Sequence, residues 1–134
     1  MGAVVLDSSV VIALFDPADA HHEASAAVVR AMRDAEDNMI LPASVLSEVM
    51  VAAYRHDPGT VPRRLAALDA VFGSPRAVDR EVALRAAELR GRHRSLRLPD
   101  ALVLAVGQVD GVDRVLTADK RWAAVDQRVE VVGG

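Results

Sequence analysis

Apolar residues along this chain concentrate in short stretches and in longer periodic ones. The short runs are 3–6, 39–41, 114–117 and 129–132, and polar, Pro or Gly residues bound them. Runs of this length, rich in Val, Ile and Leu, predict buried strands. A further short strand is expected at 76–78, after Gly73-Ser74-Pro75. The longer runs predict helices. One short turn covers 10–15, capped by Ser8 or Ser9 and broken by Asp16-Pro17. The next covers 22–34, with Ala24, Ala27, Val28 and Ala31 on one face. Residues 43–55 are apolar around most of the circumference, which predicts a largely buried helix. Residues 61–72 follow the turn Asp57-Pro58-Gly59, with Pro62 tolerated in the first turn. Residues 79–93 form a charged amphipathic helix, and 99–109 an apolar one ending near Gly111. A short helix is expected at 120–125.

Strands alternating with helices imply an α/β fold, a three-layer α/β/α sandwich on a mostly parallel sheet. No repeat or linker divides residues 1–134, so a single domain is expected. Apolar residues make up 51% of the chain, which is enough for a sizeable core. Aromatics are only 3%, so platforms for stacking single-stranded bases are scarce. The absence of cysteine excludes disulfides, zinc thiolates and a Cys nucleophile. The opening residues lack a basic leader, and no apolar run approaches the ~18 residues of a membrane helix. A cytoplasmic protein without a membrane partner is the expectation.

Four carboxylates interrupt this apolar pattern. Asp7 ends the first strand, Glu48 sits inside an apolar helix, Asp100 opens another, and Asp119 follows the strand 114–117. A buried carboxylate is costly unless it is paired, protonated or metal-bound. In parallel sheets, ligands bind beyond the carboxyl ends of the strands. Asp7 and Asp119 fall on that edge, and the starts of the helices bearing Glu48 and Asp100 gather there too. Convergence of the four would call for a hard divalent cation. Each acid also has a plainer explanation: Asp7 and Asp119 as helix N-caps, Asp100 as a complement to a helix dipole, Glu48 as part of a solvated stripe with Ser44 and Arg55. Ser9 and Thr117, two residues from Asp7 and Asp119 respectively, are suited to orient a carboxylate from behind.

Four segments together resemble the PIN-domain family of ribonucleases. They are Val5-Leu6-Asp7-Ser8-Ser9-Val10-Val11-Ile12-Ala13-Leu14, Leu41-Pro42-Ala43-Ser44-Val45-Leu46-Ser47-Glu48-Val49, Leu98-Pro99-Asp100-Ala101-Leu102-Val103-Leu104-Ala105 and Leu116-Thr117-Ala118-Asp119-Lys120-Arg121-Trp122. They occur in the family's order and span almost the whole chain. Compact members of this size resemble the VapC toxins of bacterial toxin–antitoxin pairs. The resemblance implies a five-stranded parallel sheet, Mg²⁺ or Mn²⁺ dependence and endonucleolytic cleavage of RNA. It implies a homodimer held inactive by a VapB-type antitoxin. It carries over Asp7, Glu48, Asp100 and Asp119 as catalytic positions, with Asp7 and Asp100 as direct metal ligands.

Net charge is −3, so the whole-molecule field does not attract nucleic acid. The arginines from Arg85 to Arg97, with Arg92, Arg94 and Arg97 foremost, are the candidates for RNA backbone contact, or else a solvated helix end. His21, His22, His56 and His93 form no catalytic arrangement and are expected on the surface. Two other functions compete. A phospho-accepting receiver module also has an acidic metal pocket, but it needs a second acid after the first strand, where this chain has Ser8-Ser9. A catalytically silent RNA- or protein-binding domain of the same fold is the other.

Overall fold

The computed structural model describes residues 2–133. Strand β1 (Ala3–Leu6) leads into helices α1 (Ser8–Phe15) and α2 (His22–Asp34), then β2 (Asn38–Ile40). Four helices follow: α3 (Ala43–His56), α4 (Val61–Phe72), α5 (Arg80–Arg92) and α6 (Leu98–Val109). Strands β3 (Arg114–Thr117) and β4 (Val129–Val131) flank a short 3-10 turn, Lys120–Ala124. All strand pairs are parallel, in the order β2-β1-β3-β4. The chain leaves β1 for a neighbour on one side and returns to β3 on the other. Right-handed crossovers therefore place helices on opposite faces of the sheet, the expected α/β sandwich.

The sheet has four strands, not five. The segment expected as a third strand makes a single parallel bridge, Pro42 to Arg76. Arg76 N–H donates to Leu41 O and Ala43 N–H to Arg76 O, both at 2.8 Å. The pairing stops there because Pro42 has no N–H and its chain turns into α3 at Ala43. Arg76 is fixed instead by its side chain, which forks onto Asp110 at 2.9–3.2 Å and reaches Asp79 at 3.1 Å.

The core is aliphatic, as the composition requires. Val4, Val5, Leu6, Leu104, Val115 and Leu116 are fully buried, and Trp122 is the largest side chain enclosed. Helix α6 lies close to the sheet because Gly107 leaves room for Val115; a Cβ at 107 would stand 2.8 Å from its side chain. That helix ends at Gly111, whose φ of +63° suits glycine. Gly111 N–H donates to Gln108 O and Val112 N–H to Gly107 O, closing the last turn and aiming the chain into β3.

Two helix faces differ from expectation. In α2 the buried stripe is Ser25, Val29 and Met32, while Ala27 and Ala31 are exposed. The larger Val and Met fill the space that alanines would leave. Helix α3 is buried only in its first half; Val51 and Tyr54 are 46% and 62% exposed. Among the histidines, His56 is exposed, but His21, His22 and His93 are half-buried. The ring of His22 pairs through Nδ1 with the Ala13 carbonyl at 2.8 Å, which ties α2 to α1.

Candidate functional site

Strands β1 and β3 are neighbours in register, Leu6 beside Leu116, so both chains leave the sheet at the same edge. Asp7 continues β1, and its N–H donates to Leu116 O at 2.9 Å. Connections diverge at this point, β1 leading to one side and β3 lying on the other. Such a switch point is where parallel sheets open a crevice.

Asp7 occupies the N-cap position of α1, but its carboxylate makes no capping hydrogen bond. It is 6% exposed and held from the side. Ser9 Oγ donates to Asp7 Oδ2 at 2.8 Å, and Thr117 Oγ1 donates to the same oxygen at 2.9 Å. Each hydroxyl is fixed in turn: Ala118 N–H donates to Ser9 Oγ and Asp119 N–H to Thr117 Oγ1. Among the described residues no side-chain hydrogen bond reaches Asp7 Oδ1, and the Ser8 and Ser9 backbone N–H groups face the carboxyl. Ser9 thus contacts the acid its spacing pointed to, whereas Thr117, two residues from Asp119, reaches across to Asp7 instead; Ser8, which spacing did not single out, donates weakly to Glu48 Oε2 at 3.4 Å.

The outer two acids are held by arginines. Asp100 lies in the first turn of α6 with its side chain 14% exposed, and the Arg97 guanidinium stands 3.6 Å away. Asp119 caps the 3-10 turn through the Arg121 N–H, so the capping explanation holds for this residue. The Arg121 guanidinium also forks onto it at 2.7 and 3.0 Å. A cavity of about 20 Å³ lies between these acids, floored by Leu96 and Trp122. That is room for about one water.

Charge couples the four. Burial pushes the Asp7 carboxyl above its ordinary range against the pull of the Ser9 and Thr117 hydroxyls. Glu48 is raised by burial first and then by the Asp7 charge, with Asp100 adding to it. Asp100 is also raised by burial, and by Asp7 and Asp119, although Arg97 opposes this. Asp119 alone is lowered, chiefly by its hydrogen bonds to Arg121. The acids therefore meet at one edge and repel one another. They do not share one coordination shell: as placed, no group of three acids or histidines among the described residues is spaced to hold an ion.

The donor set nevertheless fits a hard divalent cation. It consists of carboxylate oxygens, three of which resist ionising without a positive partner. Asp7 Oδ1 has no side-chain partner, and closure would need Asp100 and Asp119 to turn from their arginines. Of the expected RNA contacts, Arg97 lies at this cleft. Arg92, at the end of α5, stands 3.9 Å from Glu88, and Arg94 is exposed in the following loop.

Raised carboxyl pKa values have a consequence for folding. Such a group holds more protons folded than unfolded once pH passes its unfolded value, here 3.8 for Asp and 4.5 for Glu. Stability contributed by these groups therefore falls as pH rises through that window. Asp79 and Asp119, which are lowered, act in the opposite sense but only below 3.8. In metal-free buffer the stability contributed by Asp7, Glu48 and Asp100 is expected to decline as pH rises from their unfolded values of 3.8 and 4.5, read by differential scanning calorimetry. A flat or rising profile would show that the acids are not strained by their burial.

A family model, the PIN domain, matches residues 4–128. No curated protein sequence matches the chain. Several solved structures share its fold. A toxin–antitoxin complex from Klebsiella pneumoniae is 23% identical, with a TM-score of 0.74 and 96% of each chain covered. VapC20 of Mycobacterium tuberculosis, described as a sarcin–ricin loop cleaving toxin, is 21% identical, with a TM-score of 0.74 over 96% of this chain and 98% of its own. VapBC2 of Rickettsia felis, bound to a DNA fragment from its promoter, is 9% identical, yet its TM-score is 0.80 over 97% and 98%. Order of elements, switch-point cleft and family match agree, and the receiver alternative falls away: the chain belongs to the PIN domain family.

Proposed function

We propose that this chain is a divalent-metal-dependent endoribonuclease, the toxin of a VapBC-type toxin–antitoxin pair. The observation that carries this reading is Asp7: a buried carboxylate at the switch point, braced on one oxygen by two hydroxyls, without a side-chain partner on the other, and electrostatically coupled to Glu48 and Asp100. The likeness to a sarcin–ricin loop cleaving toxin supports RNA as the substrate class.

Asp7 and Asp100 would hold the cation, Mg²⁺ or Mn²⁺, with Glu48 and Asp119 completing the acidic lining. When bound, it would lower the pKa of water and offset charge on the phosphate oxygens. Ser9 and Thr117 hold Asp7 in one orientation, which fixes where its free oxygen points. Glu48, raised by burial and by Asp7, is suited to take the proton of the attacking water. Water oxygen then bonds to phosphorus, the opposite phosphorus–oxygen bond breaks, and the leaving oxygen gains a proton from solvent. No Ser, His or Cys nucleophile is required. Cleavage of total cellular RNA, with ends mapped in Mg²⁺ or Mn²⁺ and with excess chelator, tests the reading; cleavage undiminished by chelator overturns the metal assignment.

Arg92 and Arg94 are assigned to the RNA backbone, Arg92 leaving its long contact with Glu88. Their joint replacement by Ala is expected to weaken binding and to flatten the logarithmic salt dependence by roughly 0.7 for each phosphate no longer neutralised. Filter binding at several salt concentrations reads this directly. An unchanged slope assigns both arginines to a solvated helix end.

The partners follow from the exposed apolar surface. A groove of about 340 Å³ between α1, α2 and α4 is lined by Leu14, Phe15, Val29 and Val71 and edged by Arg30 and Arg33. It suits the apolar face of an amphipathic antitoxin helix with acidic flanks. The exposed Val51 and Tyr54 on α3 suit a second copy of the chain in a homodimer. Two of the similar structures, from Klebsiella pneumoniae and Rickettsia felis, are toxin–antitoxin assemblies, which supports the antitoxin assignment.

A further inference from the structure

The two arginines on the outer acids differ from those of the long-range ion pairs. Arg76 and Arg114 hold distant parts of the chain together and are themselves 24% and 36% exposed. Arg97 and Arg121 tie nothing distant. Each reaches an acid two or three residues away, and each is 73% exposed, whereas Asp100 and Asp119 are 14% and 25% exposed. The acids are therefore the fixed partners and the guanidiniums the movable ones. Either arginine can let go by side-chain rotation alone, and exposed ion pairs of this kind add little to folding.

Both arginines act on more than their nearest acid. Arg97 also bears on Glu48 and Asp119, and Arg121 on Asp100. They sit at the mouth of one cleft, beside the cavity that Asp100 and Asp119 line. The acids there are not spaced to share an ion, and the guanidiniums occupy the carboxylates that would have to turn inward.

We propose that Arg97 and Arg121 are resident counter-ions of the acidic cleft, displaced when a divalent cation draws Asp100 and Asp119 inward, and then free to grip the phosphodiester of the incoming RNA. The inference rests on the metal-dependent nuclease reading and adds a regulation of that site. Two positive groups neutralise the cleft while it is empty of metal, which spares the buried acids from uncompensated repulsion. Once the cation supplies that charge, the same groups stand beside the reacting phosphate, where planar guanidinium pairs with two oxygens. Each guanidinium exchanges a carboxylate partner for a phosphate one.

Titration calorimetry of Mn²⁺ into the full chain tests the exchange apart from catalysis. Removing both arginines removes the competitor, so Arg97→Ala/Arg121→Ala is expected to bind Mn²⁺ about three- to tenfold more tightly, the scale of two exposed ion pairs. Arg97→Lys/Arg121→Lys keeps the charges and is expected to stay near the wild-type affinity. Arg80→Ala, which removes an exposed charge at the start of α5, is expected to leave Mn²⁺ binding unchanged. With Mn²⁺ present, a short phosphorothioate-linked RNA is expected to bind the double alanine variant about five- to tenfold more weakly. Unaltered or weakened Mn²⁺ affinity in the double alanine variant overturns the exchange while leaving the nuclease reading intact. Failure of the wild-type chain to bind Mn²⁺ at all sinks both.

Discussion

Asp7→Asn is expected to cut metal-dependent RNA cleavage by more than about 100-fold, because even losing a partner behind a metal ligand costs about 10–100-fold. The variant keeps the shape of the side chain and both hydroxyl neighbours, since an amide oxygen can accept from Ser9 and Thr117 as the carboxylate does. It removes the negative charge that a cation needs. It also removes a charge that burial disfavours, so the variant should melt at a higher temperature than the wild type in metal-free buffer. Loss of activity together with gain of stability is the signature of a residue kept for chemistry against the interest of the fold. RNA cleavage assays and calorimetry on the same preparation read both. Wild-type cleavage by Asp7→Asn would falsify the metal assignment, and a lower melting temperature would show that the charge is satisfied inside the chain.

Trp122→Ala carries the largest expected cost to the fold, roughly 3–5 kcal/mol. Trp122 is 2% exposed and the bulkiest enclosed side chain, in a core otherwise made almost entirely of aliphatic residues. Its Nε1 finds no acceptor among the described residues, so the loss measures packing rather than a broken hydrogen bond. Trp122→Phe, which drops that unpartnered donor and keeps most of the ring, should cost far less. Urea unfolding of the two variants separates these contributions. Equal losses would mean that the indole N–H matters more than the volume it sits on. The ring also floors the cavity between Asp100 and Asp119, so the alanine variant should lose cleavage even under conditions where it remains folded.

The elements were legible because each apolar run has the length and period of its own structure. Segments of three or four residues, each with two β-branched side chains, became β1, β3 and β4, and the helical stretches were recovered within one or two residues. The segment at Arg76 was not, because a strand is a pairing and not a property of one segment. Its partner turned into α3 after a single bridge. The inward stripe of α2 passed through Val29 and Met32 because side-chain volume, as well as apolar character, decides which face meets the core. The half-buried His22 followed from a contact with α1 that sequence spacing does not encode.

The acidic cleft was legible as a set of residues and not as a geometry. Sheet topology alone brings Asp7 and Asp119 to one edge, and the helix after β2 brings Glu48. The Ser9 contact follows from its position two residues past Asp7, while Thr117 reaches Asp7 only because β1 and β3 are neighbours in the sheet. The arginines on Asp100 and Asp119 do not follow from residue order, since a long exposed side chain chooses among several acceptors by local shape. Arg121 lies two residues past Asp119, close enough to have been suspected, but so do many arginines that point into water.

The amide of Asp7 is the last rung between the two central strands. It is shielded by elements that cannot open singly, so its hydrogen should exchange with solvent only when the whole domain unfolds. The guanidiniums of Arg97 and Arg121, both 73% exposed at the rim, can swing alone. The cleft therefore works like a vice with one jaw cast into the bench and the other on a slide. Adaptation to different cargo would fall on the sliding jaw, while changes at the anchored jaw would be felt by the entire protein.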